Sequence, residues 1–316
     1  YGAIGSLGEK EVQELVDRAF DTGINFFDTA NLYSLGESER LLGKAIGKRR
    51  EEAVIATKLY NPFTSDVNSL GTSRKAIMRE AEASLKRLGT DYIDLYQVHS
   101  WDSTTPLEET LSALDDLVRS GKVRYIGLSN FTGWQIAKAY GISEAKGFHK
   151  FVSAQSYYSL AGRELEYEVL PAVRDLNMGV MVWSPLASGF LSGKYTGENA
   201  EQGRRSQFSF PPVDPEQGDK IVEVLREIAS THNASPAQIA LAWLLHQKGI
   251  TSIIIGIRRI DQFEDNIASI EIKLSHEELT QLNNLSQPNT PFMYMDFGLQ
   301  RGQALQERVS QVKSAE

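Results

Sequence analysis

The 316-residue sequence contains no cysteine. This absence excludes disulfide bonds, thiolate nucleophiles and cysteine-ligated metal sites. The five histidines do not stand at the spacing of metal ligands, so no metal site is predicted. The sequence also lacks an apolar run of about 18 residues, which a membrane span requires, and its opening residues do not lead us to expect a signal peptide. We therefore expect no membrane partner and a cytoplasmic location.

Positive charge is in short supply. The chain has 33 Lys and Arg against 41 Asp and Glu, a formal net charge of −8. Binding to a phosphate backbone needs a basic face, so no nucleic-acid partner is expected. A further absence is the G-x-G-x-x-G segment that follows an early strand in open dinucleotide-binding sheets.

What the sequence does contain is an alternation of short apolar runs and amphipathic stretches. Runs rich in Ile, Val, Phe and Tyr without strict polar alternation are typical of strands buried on both faces of a parallel sheet. Seven such strands are predicted, at 24–28, 53–58, 93–99, 124–129, 151–155, 179–184 and 252–256. Helices are predicted from apolar positions three and four apart, at 9–21, 73–88, 106–120, 134–145, 163–177, 216–231, 236–247 and 261–268.

This unbroken series of βα units predicts an α/β fold with one domain over residues 1–316. Without the dinucleotide fingerprint, a (β/α)₈ TIM barrel is favoured over an open doubly wound sheet. A barrel needs eight strands, and the chain begins at Tyr1 just before the first predicted helix. We therefore expect that the N-terminal hairpin and first strand are missing from this chain. Residues 288–316 are predicted to form a C-terminal loop or tail over the barrel mouth.

Polar residues at the carboxyl ends of the predicted strands are candidates for catalysis, because these ends converge on one mouth. Asp28, Lys58 and His99 stand at three of them, and Tyr33 follows Asp28 by five residues. A phenol releases its proton near pH 10 and becomes a useful acid only beside a cation. Lys58 could be that cation, Asp28 could keep it charged, and His99 could hydrogen-bond a carbonyl. Each residue alone has an ordinary structural explanation, and it is their combination that predicts a tuned proton donor.

Five segments resemble the aldo-keto reductase superfamily, in the family's order and over nearly the whole chain. They are NFFDTA at 25–30 with Tyr33, ATK at 56–58, YQVH at 96–99, GLSNF at 127–131 and WSPL at 183–186. The likeness is to the bacterial-type branch that includes the potassium-channel β subunits, which share WSPLA and SGKY. The resemblance implies reversible reduction of an aldehyde or ketone by hydride transfer from nicotinamide C4. NADPH is the expected cofactor, with NADH as the alternative.

The resemblance also implies residue roles. Tyr33 matches the family's general acid, Lys58 and Asp28 match the pair that favours release of its proton, and His99 matches the residue that orients the carbonyl. The residues implied to hold the cofactor fall into three groups. They are Ser129, Asn130, Gln155 and Trp183 at the nicotinamide; Ser184, Pro185, Leu186, Gly189, Leu191, Ser192, Gly193 and Lys194 at the pyrophosphate; and Gly256, Arg258, Arg259, Gln262, Asp265 and Asn266 at the adenosine end.

Two further expectations concern specificity. The Arg258–Arg259 pair favours NADPH, because guanidinium groups match a phosphate bidentately, whereas Ile257 departs from the Ser, Thr or Ala of many relatives near that phosphate. Tyr60 and Trp101 are predicted to line a pocket for a small-molecule carbonyl substrate. The oligomeric state stays open between a monomer and a homo-oligomer.

Two other functions stay open from the sequence. One is a cofactor-binding regulatory subunit with little turnover, like the potassium-channel β subunits. Those subunits lack the histidine that this chain keeps at His99, which favours catalysis. The other is a barrel lyase or aldolase in which Lys58 forms a Schiff base. Such a lysine needs a depressed pKa, which pairing with Asp28 opposes.

Overall fold

The sheet places every strand beside its successor along the chain. The computed structural model describes residues 7–61, 66, 68, 70–195, 210–289, 291 and 294. Within them the seven strands form one sheet in the order β1 to β7, all pairs parallel. The strands are β1 Phe26–Asp28, β2 Val54–Leu59, β3 Ile93–Val98, β4 Val123–Ser129, β5 Ser153–Tyr157, β6 Gly179–Trp183 and β7 Ser252–Ile253. A doubly wound sheet reverses its strand order, so this sequential order is that of the predicted (β/α)₈ barrel.

Helices alternate with the strands. In the described ranges they are α1 Glu9–Asp21, α2 Glu37–Ile46, α3 Arg74–Leu88, α4 Leu107–Arg119, α5 Gly133–Lys146, α6 Val169–Asp175, α7 Pro215–His232, α8 Pro236–Leu245, α9 Ile260–Ile267 and α10 His276–Leu285. Helix α1 has the predicted bounds. The bounds of α3 follow from its caps: the Ser73 side chain accepts a hydrogen bond from the Ala76 N–H, and Gly89 takes the left-handed conformation with φ 66°.

Two observed helices were not predicted. Helix α2 begins after Gly36, buries Leu42, Ala45 and Ile46, and packs against α1 and α3. Its apolar positions stand at helical spacing, a signal that could have predicted it. Helix α10 carries a usable signal, since Ser275 and Glu278 form a capping box at its start.

Other bounds also differ from those predicted. The segment predicted as one helix at 163–177 divides into a 3₁₀ turn, Glu164–Glu166, and α6. Pro106 stands at the cap of α4 without a side-chain cap bond, and β7 stops at Ile253 rather than at residue 256.

Strand register sorts the barrel interior into layers. One layer runs from Lys58 through Gln97, Gly127 and Ser153, each paired with the next across β2 to β5. At Gly127 a β-carbon would lie 2.8 Å from Ser153 Oγ and 3.2 Å from Gln97 Cγ. The glycine therefore makes room for polar side chains in the middle of the barrel.

Contacts divide the chain into a compact unit, Tyr1–Ser286, which holds the barrel, and a second unit, Gln287–Glu316. In the second unit the Tyr294 N–H donates to the Pro291 carbonyl at 2.9 Å. Apart from 288, 289, 291 and 294, the predicted tail at 288–316 lies outside the described residues, and its place over the mouth stays a prediction. No helix in the described part of the chain is long and apolar enough to cross a membrane.

Candidate active site

The four predicted catalytic residues lie at the carboxyl end of the sheet. Asp28 is the last residue of β1, Lys58 is the penultimate residue of β2, and His99 directly follows β3. Tyr33 begins a short 3₁₀ turn, Tyr33–Gly36, just beyond β1. The fold thus gathers residues that are up to 71 positions apart in the chain, as the sequence predicts.

Lys58 is fully buried. Its ammonium group forms an ion pair with Asp28 Oδ2 and donates a hydrogen bond to the Thr29 carbonyl at 2.9 Å. Burial by itself lowers the pKa of Lys58, but its interactions with Asp28 and with Tyr33 outweigh burial and raise it. Lys58 is therefore a permanent cation in the middle of the site.

Tyr33 lies against this cation. The Lys58 nitrogen is 5.1 Å from the centroid of the Tyr33 ring. An ammonium group has no acceptor site, so the phenol proton stays available for another acceptor.

The backbone after Tyr33 is strained. Ser34, Leu35 and Gly36 all have left-handed φ values, of 49°, 53° and 81°. For residues other than glycine this conformation costs about 1–2 kcal/mol each. Such strain is concentrated at functional sites.

His99 faces Tyr33 edge-on, with ring centroids 5.8 Å apart and an interplanar angle of 79°. Burial and the nearby Lys58 charge lower the pKa of His99 to about 3. The imidazole is therefore neutral at neutral pH. Its Nδ1 atom is buried and has no hydrogen-bond partner among the described residues.

Asn130 bridges two other predicted residues. Its backbone is left-handed, with φ 58°. Its Nδ2 donates to the His99 carbonyl, and its Oδ1 accepts from Trp183 Nε1, both at 3.0 Å. The neighbouring Ser129 is buried, and its hydroxyl has no partner within the described ranges.

The Asp28 carboxylate accepts hydrogen bonds from side chains on two further strands. Gln155 Nε2 on β5 donates to Asp28 Oδ1 at 2.9 Å, and Gln97 Nε2 on β3 donates to the same oxygen at 3.1 Å. Gln155 was predicted at the nicotinamide, whereas Gln97 was missed. The usable signal was strand alternation, which puts residue 97 on the same face as residue 99.

Trp183 lies between two aromatic rings. The Tyr157 ring is 5.1 Å away and tilted, and the Phe210 ring is 5.7 Å away and nearly parallel, at 15°. The predicted pyrophosphate loop follows Trp183 and is built from tight turns. Left-handed φ values occur in it at Ser184, Ala187, Ser188, Gly189 and Gly193.

Hydrogen bonds within this loop join serine side chains to its backbone. The Ser188 N–H donates to Ser184 Oγ at 3.0 Å, and Ser192 Oγ donates to the Gly189 carbonyl at 2.6 Å. Of the other predicted members, Pro185 and Leu191 are buried, Leu186 is half-buried, and Lys194 Nζ lies 5.0 Å from the Tyr195 ring centroid.

The predicted adenosine residues surround the start of α9. Gln262 Oε1 accepts from the Arg258 N–H at 3.1 Å, and Arg259 forms two hydrogen bonds with Asp261, at 2.8 and 2.7 Å. The exposed Arg258 guanidinium forms no ion pair within the part of the chain that the structure describes. Of the rest, Gly256 is exposed, Asn266 is half-buried, and Asp265 accepts from Ser235 Oγ at 3.0 Å.

The two predicted pocket residues belong to neighbouring loops. Tyr60 has φ 146° and its carbonyl accepts from the Gly71 N–H at 2.8 Å. Trp101 lies edge-on to the Phe131 ring at 5.3 Å and to the Trp134 ring at 5.5 Å.

Asp102, which was not predicted from the sequence, joins these two loops by hydrogen bonds. Its Oδ2 accepts from the Thr72 N–H at 2.8 Å, from Thr72 Oγ1 at 3.2 Å and from Thr105 Oγ1 at 2.8 Å. Its Oδ1 accepts from the Thr104 N–H at 2.8 Å, from Thr104 Oγ1 at 2.6 Å and from the Thr105 N–H at 3.3 Å. Burial alone raises the pKa of Asp102, but these hydrogen bonds hold it well below its usual range.

The fold is a parallel βα barrel, and the four predicted catalytic side chains lie together at the carboxyl ends of its strands. Enzymes built on this fold carry their active sites at that end. The sequence comparisons give the family. The model described as the aldo/keto reductase family matches residues 2–287, and the chain belongs to that family. It is therefore an oxidoreductase that acts on small-molecule carbonyl groups with a nicotinamide cofactor.

Individual relatives agree. The chain is 43% identical to the uncharacterized oxidoreductase YrpG of Bacillus subtilis, over 88% of this chain and 87% of YrpG. It is 36% identical to a putative aryl-alcohol dehydrogenase of Schizosaccharomyces pombe, over 87% and 84% of the two chains. It is 35% identical to versiconal hemiacetal acetate reductase of Aspergillus parasiticus, over 87% of each chain.

Proposed function

We propose that this chain reduces aldehydes and ketones to alcohols with NADPH and that Tyr33 is the proton donor. The observation that carries the proposal is the buried Lys58 ammonium, which is bonded to Asp28 and the Thr29 carbonyl and lies 5.1 Å from the centroid of the Tyr33 ring. A cation in this position stabilises the phenolate that remains when Tyr33 gives its proton away.

The residues at the mouth suit a nicotinamide. The Ser129 hydroxyl is buried without a partner in the described ranges. Such a hydroxyl can form a hydrogen bond with the carboxamide group of a nicotinamide. Asn130 follows Ser129 in the chain, and its amide oxygen accepts a hydrogen bond from the Trp183 ring. When bound, the cofactor supplies a hydride to the carbonyl carbon.

The side chains then divide the remaining work. Tyr33 protonates the carbonyl oxygen, Lys58 stabilises the phenolate, and Asp28 balances the lysine charge. His99 is neutral and can donate one hydrogen bond to the carbonyl oxygen. With Nδ1 enclosed, the proton is best carried by Nε2. Donors held in place in a water-poor site act strongly on charge that develops on oxygen.

Arg258 supports the choice of NADPH. Its guanidinium is exposed and free of an ion pair among the described residues, whereas Arg259 is engaged by Asp261. A free guanidinium can bind the additional phosphate of NADPH through two hydrogen bonds. Tyr60, Trp101 and the rings beside Trp101 would form the substrate pocket, which favours an aromatic carbonyl.

A lyase that uses Lys58 is less well supported, because its nucleophile must be a neutral amine. The raised pKa of Lys58, which results from Asp28 and Tyr33 outweighing burial, keeps the amine protonated.

The test is turnover of NADPH with a panel of aromatic and aliphatic aldehydes and ketones, followed by the absorbance of the reduced nicotinamide. Tyr33→Phe should lower kcat by about 10²–10⁴-fold, the usual worth of general acid catalysis, with NADPH binding intact. Tyr125→Phe is the matched control, because Tyr125 is exposed near the opposite end of β4 and should leave kcat unchanged.

Three results would contradict the proposal. Full activity of Tyr33→Phe would exclude this proton donor. Binding of NADPH without turnover of any carbonyl would support the regulatory-subunit alternative. Reductive trapping of a substrate on Lys58 by borohydride would support the lyase.

A further inference from the structure

The Asp28 carboxylate is held from three sides. Oδ2 faces the Lys58 ammonium, and Oδ1 accepts hydrogen bonds from Gln155 at 2.9 Å and from Gln97 at 3.1 Å. The Asp28 side chain is only 5% exposed, so water has little access to replace these donors.

Gln97 is fully buried in the layer of Lys58, and the two are register partners on β2 and β3. Its Oε1 has no hydrogen-bond partner among the described residues. A buried unpartnered oxygen is unfavourable, and an apolar side chain at this position would avoid that cost. What the amide provides instead is the hydrogen bond from Nε2 to Asp28.

The orientation of the amide is determined by its neighbour. Turning it over would put Oε1 against the carboxylate, acceptor to acceptor, and would lose the hydrogen bond. Gly127, the next residue in the layer, leaves the space that the Gln97 side chain occupies. The position is therefore shaped for a donor directed at Asp28.

The position of Asp28 determines that of Lys58. The Lys58 ammonium donates to Asp28 Oδ2 and to the Thr29 carbonyl, and it lies 5.1 Å from the centroid of the Tyr33 ring. With Oδ1 held by two amides, the carboxylate cannot rotate without breaking bonds to uncharged donors. These amides fix its orientation and leave the balance of one cation and one anion unchanged.

We propose that Gln97 is a positioning residue that sets the acidity of Tyr33 through Asp28 and Lys58. The inference rests on the proposed function for its catalytic consequence. The acidity of Tyr33 can itself be measured without turnover.

The experiment is a spectroscopic titration of the Tyr33 phenolate. The chain has 12 tyrosines, so the Tyr33 signal is taken as the difference between each protein and the same protein carrying Tyr33→Phe. Gln97→Glu keeps the size of the side chain and puts a carboxyl beside Asp28. An added negative charge favours the protonated phenol, so the midpoint of the titration should rise by about one pH unit or more.

Gln97→Met removes the donor with little change in volume. It should lower kcat by about tenfold, the usual worth of one hydrogen bond to a charged group, with the cofactor dissociation constant nearly unchanged. Gln135→Met is the matched control. Gln135 is also a buried glutamine with a hydrogen bond, but it accepts from the Thr132 N–H at the start of α5, remote from Asp28. This variant should leave both the titration and kcat unchanged.

The inference is overturned if both Gln97 variants titrate within about 0.3 pH units of the unmodified chain and keep kcat within about threefold. It is also overturned if Gln135→Met produces the same changes. If Gln97→Glu does not fold, Gln97→Met decides alone. A chain that reduces no carbonyl but shows the shifted titration would refute the proposed function and support this inference. Normal turnover of carbonyls, with a titration midpoint that the Gln97 variants do not change, would support the proposed function and refute this inference.

Discussion

Replacing Asp102 by asparagine tests how the two loops beside the site are held. Asp102 is 9% exposed, and each of its carboxylate oxygens accepts three hydrogen bonds. Asparagine keeps one oxygen and turns the other into a donor. The threonine hydroxyls can rotate to other acceptors, but the N–H of Thr72 or Thr104 cannot.

The expected cost follows from that geometry. One backbone N–H left without an acceptor in a buried place costs about 1–3 kcal/mol, and hydrogen bonds to a charge are worth more than neutral ones. We expect Asp102→Asn to lower the free energy of unfolding by about 2–4 kcal/mol. The KM for substrate should rise more than kcat falls, because Trp101 and Tyr60 are on the loops that Asp102 joins.

The pH dependence has a definite sign. The pKa of Asp102 is lowered in the folded chain, so the carboxylate stabilises the fold above its unfolded pKa of about 3.9. That contribution is lost as the pH falls below this value. The difference between the native chain and Asp102→Asn should therefore be largest at neutral pH and should shrink in acid.

Urea unfolding at neutral and acidic pH measures both quantities. Asp116→Asn is the control, because the Asp116–Arg74 pair is exposed on both sides and should be worth at most about 1 kcal/mol. Equal stability of Asp102→Asn and Asp116→Asn would refute the reasoning, as would a deficit of Asp102→Asn that persists unchanged in acid.

Three further predictions concern other parts of the chain. Gly43→Ala should lower the free energy of unfolding by about 1–3 kcal/mol, since its β-carbon would lie 2.1 Å from the Leu88 carbonyl oxygen. Gly141→Ala is the control, because a β-carbon there would meet no atom within 4 Å, and urea unfolding compares the two variants. The imidazole of His99 should titrate near its pKa of about 3 by NMR, and an ordinary value would contradict its burial beside Lys58. Arg258→Ala should raise the KM for NADPH by about tenfold and leave that for NADH unchanged; equal effects on both would exclude a phosphate contact.

The candidate site could be predicted in part because its residue types stand next to recognisable strands. Asp28, Lys58 and His99 each end or follow an apolar run, and strand ends of a parallel barrel meet at one mouth. Roles beyond that geometry came from the resemblance to a family. The charge state of Lys58 followed from its pairing with Asp28, whereas that of His99 could not be predicted, because it depends on the depth of burial and on the nearby Lys58 charge.

By itself, the sequence determined the series of strands and helices, since apolar spacing and caps are local properties. Helix α1 has its predicted bounds for this reason, and α3 differs by one residue at its cap. The tertiary structure decided which polar groups meet. Gln97 and Gln155 reach Asp28 across 69 and 127 positions of sequence. Such contacts depend on strand register, in which a shift of one residue turns every side chain to the opposite face.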